Sequence, residues 1–569
     1  MHPRPDRRTA LPAPNLAPSL APQLAPKLVL ALALTWVVAA PVPAQQAAPE
    51  TGAATAPATA PATGTDTETG AALPAMAEIE RAWQAGDYGF VRAGLQRLAE
   101  ETGSALAQYR YGRVLYEGRG GPRDIPAAIA WLERAAAQEQ RDAVTLLARI
   151  LLSGPASGVP RDPARAARLL ARAATRGDAE AQYYLALLTE AGDGLAADPE
   201  AALNWFWAAA EQDHGPAQFA LARILAAPGP RQDPQKALHW LTRAAENGQA
   251  EAQFRLSLLL EGGVPGPDGP EAADAAALAV PADPAQAHLW LERAAQAGLP
   301  PAMRRLGTKY LNGSGVPENP AEAARWLSAA AEAGDVPAMV NLGVLYATGT
   351  GVAADDAEAA RWYQRAADEE LPQGMLALAR FREAGRGGAP DLGAAVKLYR
   401  AALEAGLDAA RADLARLALA GALDPHAAPH DMVPWLAPAA AQGDAEAEAW
   451  LQSRAEAGLR PAQTALARIW LDRGGRAAEA AALLERAAMA GDVMAQAELG
   501  QLHASGTGVA LDPVAAHMWL NVAAASGARD AAQRRDLLAQ LMSPEQIAQA
   551  QDAARQFFAT AGTRVPAGQ

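Results

Sequence analysis

The alternation of apolar and polar positions is clearest in residues 334–367, GDVPAMVNLGVLYATGTGVAADDAEAARWYQRAA. Ala338, Leu342, Leu345 and Tyr346 recur at the spacing that sets side chains on one face of a helix. Gly349-Thr350-Gly351-Val352 interrupts that period, since glycine takes the positive φ a tight turn requires. A second apolar stripe follows at Ala359, Trp362, Tyr363, Ala366 and Ala367. Gly334 ends the preceding helix, Asp335 caps the first helix of the segment, and Asp355 or Asp356 caps the second. Gly343 and its small neighbours leave room for the second helix to come close. The pattern predicts a helix–turn–helix hairpin closed along one apolar seam.

The hairpin recurs. Between residues 131 and 524 one phrase appears eleven times: a Trp or Leu, a few residues, then Arg or a small residue and Ala-Ala. Its clear copies start at Trp131, Trp205, Trp240, Trp290, Trp326, Trp362, Trp435 and Trp519, and weaker copies at Leu169, Lys397 and Leu483. Trp290 to Trp326, Trp326 to Trp362, and Leu483 to Trp519 are each 36 residues apart. Asp162-Pro163, Asp198-Pro199, Asp233-Pro234, Asp283-Pro284 and Asp512-Pro513 supply a cap with Pro at the first helical position. A fixed period of this length signals a stacked array with one continuous core. Tryptophans held in one register read as core filler. No stretch alternates β-branched and polar residues as a strand does.

Two places depart from the period. Trp240 to Trp290 is 50 residues, and the surplus falls in 262–283, which predicts a protruding loop. Trp435 to Leu483 is 48 residues, with an extra helical piece at 445–457, so the stack should be irregular over 441–475. Residues 73–102 read as a capping helix pair at the N-terminal end of the array (103–527), and 528–569 as capping helices at the other end, where Ser543-Pro544-Glu545-Gln546 forms a capping box.

Composition and charge narrow the function. The net charge is −14, which argues against nucleic acid, whose binding needs a basic stripe. Four lysines stand against 45 arginines, and there is no cysteine, so disulfides, thiolate metal sites and cysteine nucleophiles are excluded. Arg4, Arg7, Arg8 and Lys27 precede an apolar run from Leu28 to Ala40, and small residues flank a junction between Ala44 and Gln45. That grammar predicts a cleaved signal peptide over 1–44. The run spans only about 20 Å of a roughly 30 Å bilayer core, so no membrane span is expected after cleavage. Residues 45–72 are Ala, Thr, Pro and Gly with a few acids, the composition of a linker. The expected location is the periplasm of a Gram-negative bacterium, or outside the cell.

Chemistry is sparse. No Gly-x-Gly turn continues to Gly-Lys-Ser/Thr, and no H-E-x-x-H, G-x-S-x-G or S-x-x-K motif occurs. His426 and His430 stand four apart beside Asp424 and Asp431, but Pro425 and Pro429 argue for a polar loop rather than a metal-bearing helix. No cofactor, metal or catalytic residue is expected. Trp207, in Asn204-Trp205-Phe206-Trp207, and Trp470 fall outside the tryptophan register and are the candidate partner-binding aromatics.

The repeat resembles the Sel-one-like family, short relatives of the tetratricopeptide repeat. Gly334, Ala338, Leu342, Gly343, Tyr346, Gly349, Gly351, Val352, Asp355, Ala359, Trp362, Ala366 and Ala367 match its phrase one for one. The resemblance implies an all-α, right-handed solenoid of about eleven stacked hairpins. It also implies an adaptor or scaffold whose groove binds a protein of the cell envelope. A peptidoglycan- or polysaccharide-binding module and, more remotely, a carboxylate-based hydrolase are the alternatives.

Overall fold

The structure, a computed structural model, describes residues 73–154, 158–262, 280–423 and 426–561. The expected leader, the linker, the Ala44–Gln45 junction and most of the 262–283 insertion lie outside the described residues. Among the described residues there are 27 helices and no strand, and the fold is an all-α solenoid of repeats. Packing divides the chain into two compact units. One runs through Lys309 and includes Gly313–Pro317; the other comprises Tyr310–Asn312 and everything from Glu318 on. Within each unit helices pack against their neighbours in chain order, as short connections dictate.

The segment 334–367 forms helices Val336–Thr348 and Asp356–Asp368. Asp335 accepts the Ala338 N–H at 2.8 Å. Asp355, and not Asp356, caps the second helix, accepting the N–H groups of Ala357 and Glu358 at 2.9 and 3.0 Å. Asp356 is turned instead toward the Arg386 guanidinium of the next turn. The Asp355 N–H donates to the Tyr346 carbonyl at 2.9 Å and closes the hairpin; Asp124 to Leu115, Asp198 to Thr189 and Asp512 to His503 repeat this closure.

The two turn glycines have different duties. Gly349 ends its helix in the left-handed conformation. Gly351 is where one repeat touches the last: a Cβ there would lie 1.9 Å from the Pro320 carbonyl oxygen. Gly194 and Gly508 meet the preceding repeat's backbone in the same way, at 2.4 and 2.1 Å. Gly315, in the repeat after the insertion, does not; its nearest neighbour is the Lys309 amine at 3.8 Å.

The core corrects the tryptophan register by one residue. The innermost side chain of each second helix is the residue after the register position: Leu132, Leu170, Phe206, Leu241, Leu291, Leu327, Tyr363, Tyr399, Leu436, Leu484 and Leu520, none more than 3% exposed. It is this residue that the first-helix glycine admits, for a Cβ on Gly343 would lie 2.5 Å from the Tyr363 ring. Trp240, Trp362, Trp435 and Trp519 are buried beside it, whereas Trp131, Trp205, Trp290 and Trp326 are half-buried. Arg134, Arg293 and Arg365 lay their guanidinium groups 4.4–4.6 Å from the rings of Trp131, Trp290 and Trp362. The copy assigned to Lys397 is likewise displaced: Tyr399 is the fully buried residue there, so Leu398 holds the register position.

A polar clip joins consecutive repeats. Buried glutamines in the first helices, Gln182, Gln218, Gln253, Gln463 and Gln496, each donate to the carbonyl eight residues back, at 2.9–3.1 Å. That carbonyl belongs to the last turn of the previous second helix, where it also accepts the backbone N–H three residues on, so the glutamine supplies its second hydrogen bond. Gln138, Gln212 and Asn247 in turn donate to the oxygens of Gln108, Gln182 and Gln218 at 2.8 Å. Met303, Met339 and Met375 occupy the same position in the repeats between.

The array is irregular where its helices are Ala409–Leu419, Pro429–Ala441, Ala445–Glu456 and Arg460–Arg473. Ala445–Glu456 is capped by Asp444 as a first helix is, yet ends as a second helix does, with Trp450-Leu451 and then Gly458. Leu451 is fully buried and Arg454 covers the Trp450 ring at 5.3 Å, so one helix stands in for a whole hairpin. Helix Pro429–Ala441 consequently packs on both Ala445–Glu456 and Arg460–Arg473. Its first residue is Pro429, so His430 lies in a helix and not in the expected polar loop.

Candidate functional site

The two candidate aromatics part company. Trp470 is 5% exposed. Its indole N–H donates to Glu448 at 2.9 Å, Arg473 donates to the other oxygen of the same carboxylate at 2.6 Å, and Arg476 covers the ring at 3.6 Å. The hydrogen bonds from Trp470 and Arg473 hold the Glu448 carboxyl below its ordinary pKa. Trp470 is therefore a latch between the odd helix and the one after it, and offers no surface to a partner. Trp207 is half-buried, its ring edge-on to Trp240 with centroids 5.4 Å apart. Among the described residues no group of three or more His, Asp or Glu is placed to hold a metal. His430 meets Asp431 at 3.5 Å.

A different set of side chains converges in the N-terminal unit. The residue after each clip glutamine there is aromatic: Tyr109, Tyr183, Phe219 and Phe254. They stand on the first helices Ala105–Glu117, Ala179–Ala191, Gly215–Ala226 and Ala250–Leu260, and all four are half-buried. Tyr183 packs on Tyr184 and on His214 with centroids 5.4 and 5.1 Å away, and its hydroxyl has no hydrogen-bond partner among the described residues. Arg255 lies over the Phe219 ring at 5.5 Å.

Carboxylates run beside the rings. Burial raises the Tyr109 phenol pKa, with Asp142 and Glu180 adding to it and Arg113 opposing. Burial likewise pushes up Tyr183, with Glu251 and Glu190 adding and Arg223 opposing. Spacings of three residues, Glu180 to Tyr183 and Glu251 to Phe254, and of seven, Tyr183 to Glu190, set these rings and acids on one face of their helices. Glu180 is half-buried and desolvation raises its carboxyl pKa, although Arg149 works against the shift. Glu190 reaches solvent, yet desolvation among its neighbours raises it too. Neither makes an ion pair or hydrogen bond among the described residues. Elsewhere in this unit arginines of adjacent repeats take up the acids, as in Arg165–Glu133, Arg161–Asp193 and Arg243–Asp213. Sequence reasoning missed this face. Its signal was an aromatic following the first-helix glutamine at intervals of 36 and 35 residues, from Tyr183 to Phe219 to Phe254.

Comparison with known proteins agrees with the geometry. The Sel1 repeat matches eleven segments: 105–139, 141–178, 179–214, 215–249, 250–274, 277–299, 300–335, 336–370, 372–407, 460–492 and 493–527. The unmatched stretch, 408–459, contains the odd helix. Chitin synthase regulatory factor 3 of Schizosaccharomyces pombe is 33% identical over 145 residues, 24% of this chain and 16% of that protein. DAP3-binding cell death enhancer 1 of Rattus norvegicus is 31% identical over 136 residues, 24% of this chain and 26% of that protein. The chain thus spans a small part of these curated relatives. Among solved structures, a protective antigen of uropathogenic Escherichia coli strains displaying an SLR fold is 24% identical, covers 84% of this chain and 98% of its own, and has a TM-score of 0.47. A Sel1 repeat protein from Oxalobacter formigenes is 26% identical and covers 63% of this chain and 95% of its own, with a TM-score of 0.40. With eleven matched segments covering more than half of the chain, and a second-helix seam that stays buried along the array, the chain belongs to the Sel1 repeat family.

Proposed function

We propose that this chain is a non-catalytic, exported scaffold that binds a protein partner of the cell envelope through the first-helix face of its N-terminal unit. Proteins of this repeat family are typically protein-interaction scaffolds and generally non-catalytic. One relative carries the binding of another protein in its name. The observation that carries the reading is the row Tyr109, Tyr183, Phe219 and Phe254 with its unpaired carboxylates. Tyr109, Tyr183 and Phe219 stand at the rim of the core, packed against it on one side and reaching solvent on the other, and rigid helices present the row at a regular position in the repeat. The leader grammar of residues 1–44 supports export.

The test is crosslinking with the full chain as bait in an envelope extract of its source, followed by mass spectrometry. One dominant envelope protein is expected, and its loss when Tyr183 and Phe219 are both replaced by Ala would place it on this face. Enrichment of glycan without protein would replace this reading with a carbohydrate-binding one. Export is checked separately. The N-terminus of the chain recovered from the envelope fraction should be Gln45, and a chain still beginning at Met1 would remove that part of the proposal.

A further inference from the structure

We propose that the first-helix face of the N-terminal unit receives a Lys- or Arg-bearing polypeptide segment of its partner; this rests on the scaffold reading above. Glu180 is half-buried and makes no ion pair or hydrogen bond among the described residues, and a desolvated carboxylate whose burial Arg149 only partly offsets is a standing penalty on the fold. A lysine or arginine arriving from a partner relieves that penalty, so its binding free energy exceeds that of the same cation against an already paired acid. Glu190 and Glu251 continue the acidic row past the Tyr183 ring. Aromatic faces beside carboxylates add cation–π attraction for the incoming side chain and apolar area for its methylene stem. The free Tyr183 hydroxyl is a further acceptor. Arg223 shares the face and makes no ion pair with Glu190, so it sets a like-charge boundary to where the incoming cation sits. The whole chain carries −14, which steers basic partners in and turns acidic ones away.

The experiment measures binding of fluorescently labelled short peptides to the full chain by anisotropy, using a Lys/Arg-rich set and a matched Asp/Glu-rich set. The basic set should bind and the acidic set should not. The double substitution Glu180→Gln/Glu190→Gln should weaken binding by about tenfold, and added salt should weaken it further. Glu358→Gln/Glu479→Gln, on second helices, should leave it unchanged. Equal binding of both sets, no binding of either, or indifference to the Glu180/Glu190 change would each overturn the proposal. Repeating the envelope capture with the Glu180→Gln/Glu190→Gln chain separates the two readings. If the wild type captures a partner and the double variant captures it equally well, the scaffold reading stands and the basic-segment proposal falls. If neither captures protein, the scaffold reading itself fails.

Discussion

The first helices of the two units are built on the same scaffold but carry opposite chemistry. In the N-terminal unit the residue after each clip glutamine is Tyr109, Tyr183, Phe219 or Phe254, with Thr145 and Arg304 in the two repeats that lack the glutamine, and Glu180 and Glu190 make no ion pair among the described residues. In the C-terminal unit the same position is Val340, Leu376, Thr464 or Ala497, and acids are answered. Glu383 accepts from Arg416 and from the Tyr399 hydroxyl, both at 2.8 Å, and Asp413 meets Arg380 at 2.9 Å; Glu498 is the exception, for it meets Arg468 at 2.9 Å through one oxygen, yet its other oxygen is buried without a partner among the described residues and burial raises its carboxyl pKa. The hydrogen bonds to Glu383 outweigh its burial and hold its carboxyl pKa down, the reverse of Glu180. The caps, turns and core seam are shared between the units. What differs is confined to positions the fold does not dictate, and those are where partner choice can be written.

If the scaffold is common, deleting the innermost side chain must hurt both units alike. Phe206→Ala and Tyr363→Ala should each destabilise their unit by about 3–5 kcal/mol, as truncation of large core residues does. Thermal unfolding followed by hydrogen exchange reads the two units separately, and a markedly unequal effect would break the comparison. Glu448→Ala should cost about 2 kcal/mol, because it strands the buried Trp470 N–H and frees Arg473. The loss should localise to residues around the odd helix, and a loss spread evenly over the chain would argue against a latch.

Both units should lose stability on acidification, since burial lowers the pKa of His517 in the C-terminal unit as well as that of His214, but the larger shift is in the N-terminal unit. His214 caps helix Gly215–Ala226 by accepting the Ala217 N–H at its Nδ1, which requires a neutral ring. Burial pushes its pKa down to about 4 from 6.5, against the opposing field of Asp178. The unfolded chain therefore binds this proton before the folded one, and stability falls as pH drops from 6.5 toward 4. His214→Asn, which keeps an acceptor, should flatten that decline in melting temperature; an unchanged slope would show that His214 is not its source. The smallest effects should differ in sign between the units. Glu180→Gln removes a desolvated charge that Arg149 only partly offsets and should stabilise by about 0.5 kcal/mol, whereas Glu383→Gln, losing a hydrogen-bonded ion pair, should destabilise by about 1 kcal/mol. The same sign for both would erase the distinction between the faces.

The hairpin was legible because its caps and turns are local: Asp335, Gly349 and Asp355 act within a few residues of themselves. The tryptophan register was legible too, but not its depth. Trp362 is the louder letter, yet Tyr363 is the one Gly343 makes room for, and that contact crosses from one helix to another. The half-hairpin was seen as an extra helix and not as a second-helix copy, because Trp450 follows its cap without a first helix before it. The buried glutamines were invisible for a different reason. A Gln on a helix ordinarily reads as solvated, and only the stacked repeat reveals the helix-end carbonyl it reaches. The partner face went unread because its aromatics matched no repeat rule. Sequence reasoning looked instead to Trp470, whose partner Glu448 comes from another helix and whose ring is covered by Arg476, the residue before the next helix.

The closure of the long repeat has an evolutionary consequence. Asp283 donates its N–H to Leu260 at 2.7 Å, the same gesture that Asp355 makes to Tyr346. The first pair is 23 residues apart in the chain and the second nine. Lengthening that connection adds only about 0.8 kcal/mol of loop-closure entropy, because the penalty grows with the logarithm of length. Each hairpin therefore has a joint at which new sequence can be acquired without renegotiating the stack. The array is a frame whose ornaments can lengthen independently, and an engineer wishing to graft a reporter domain onto it would cut between Leu260 and Asp283.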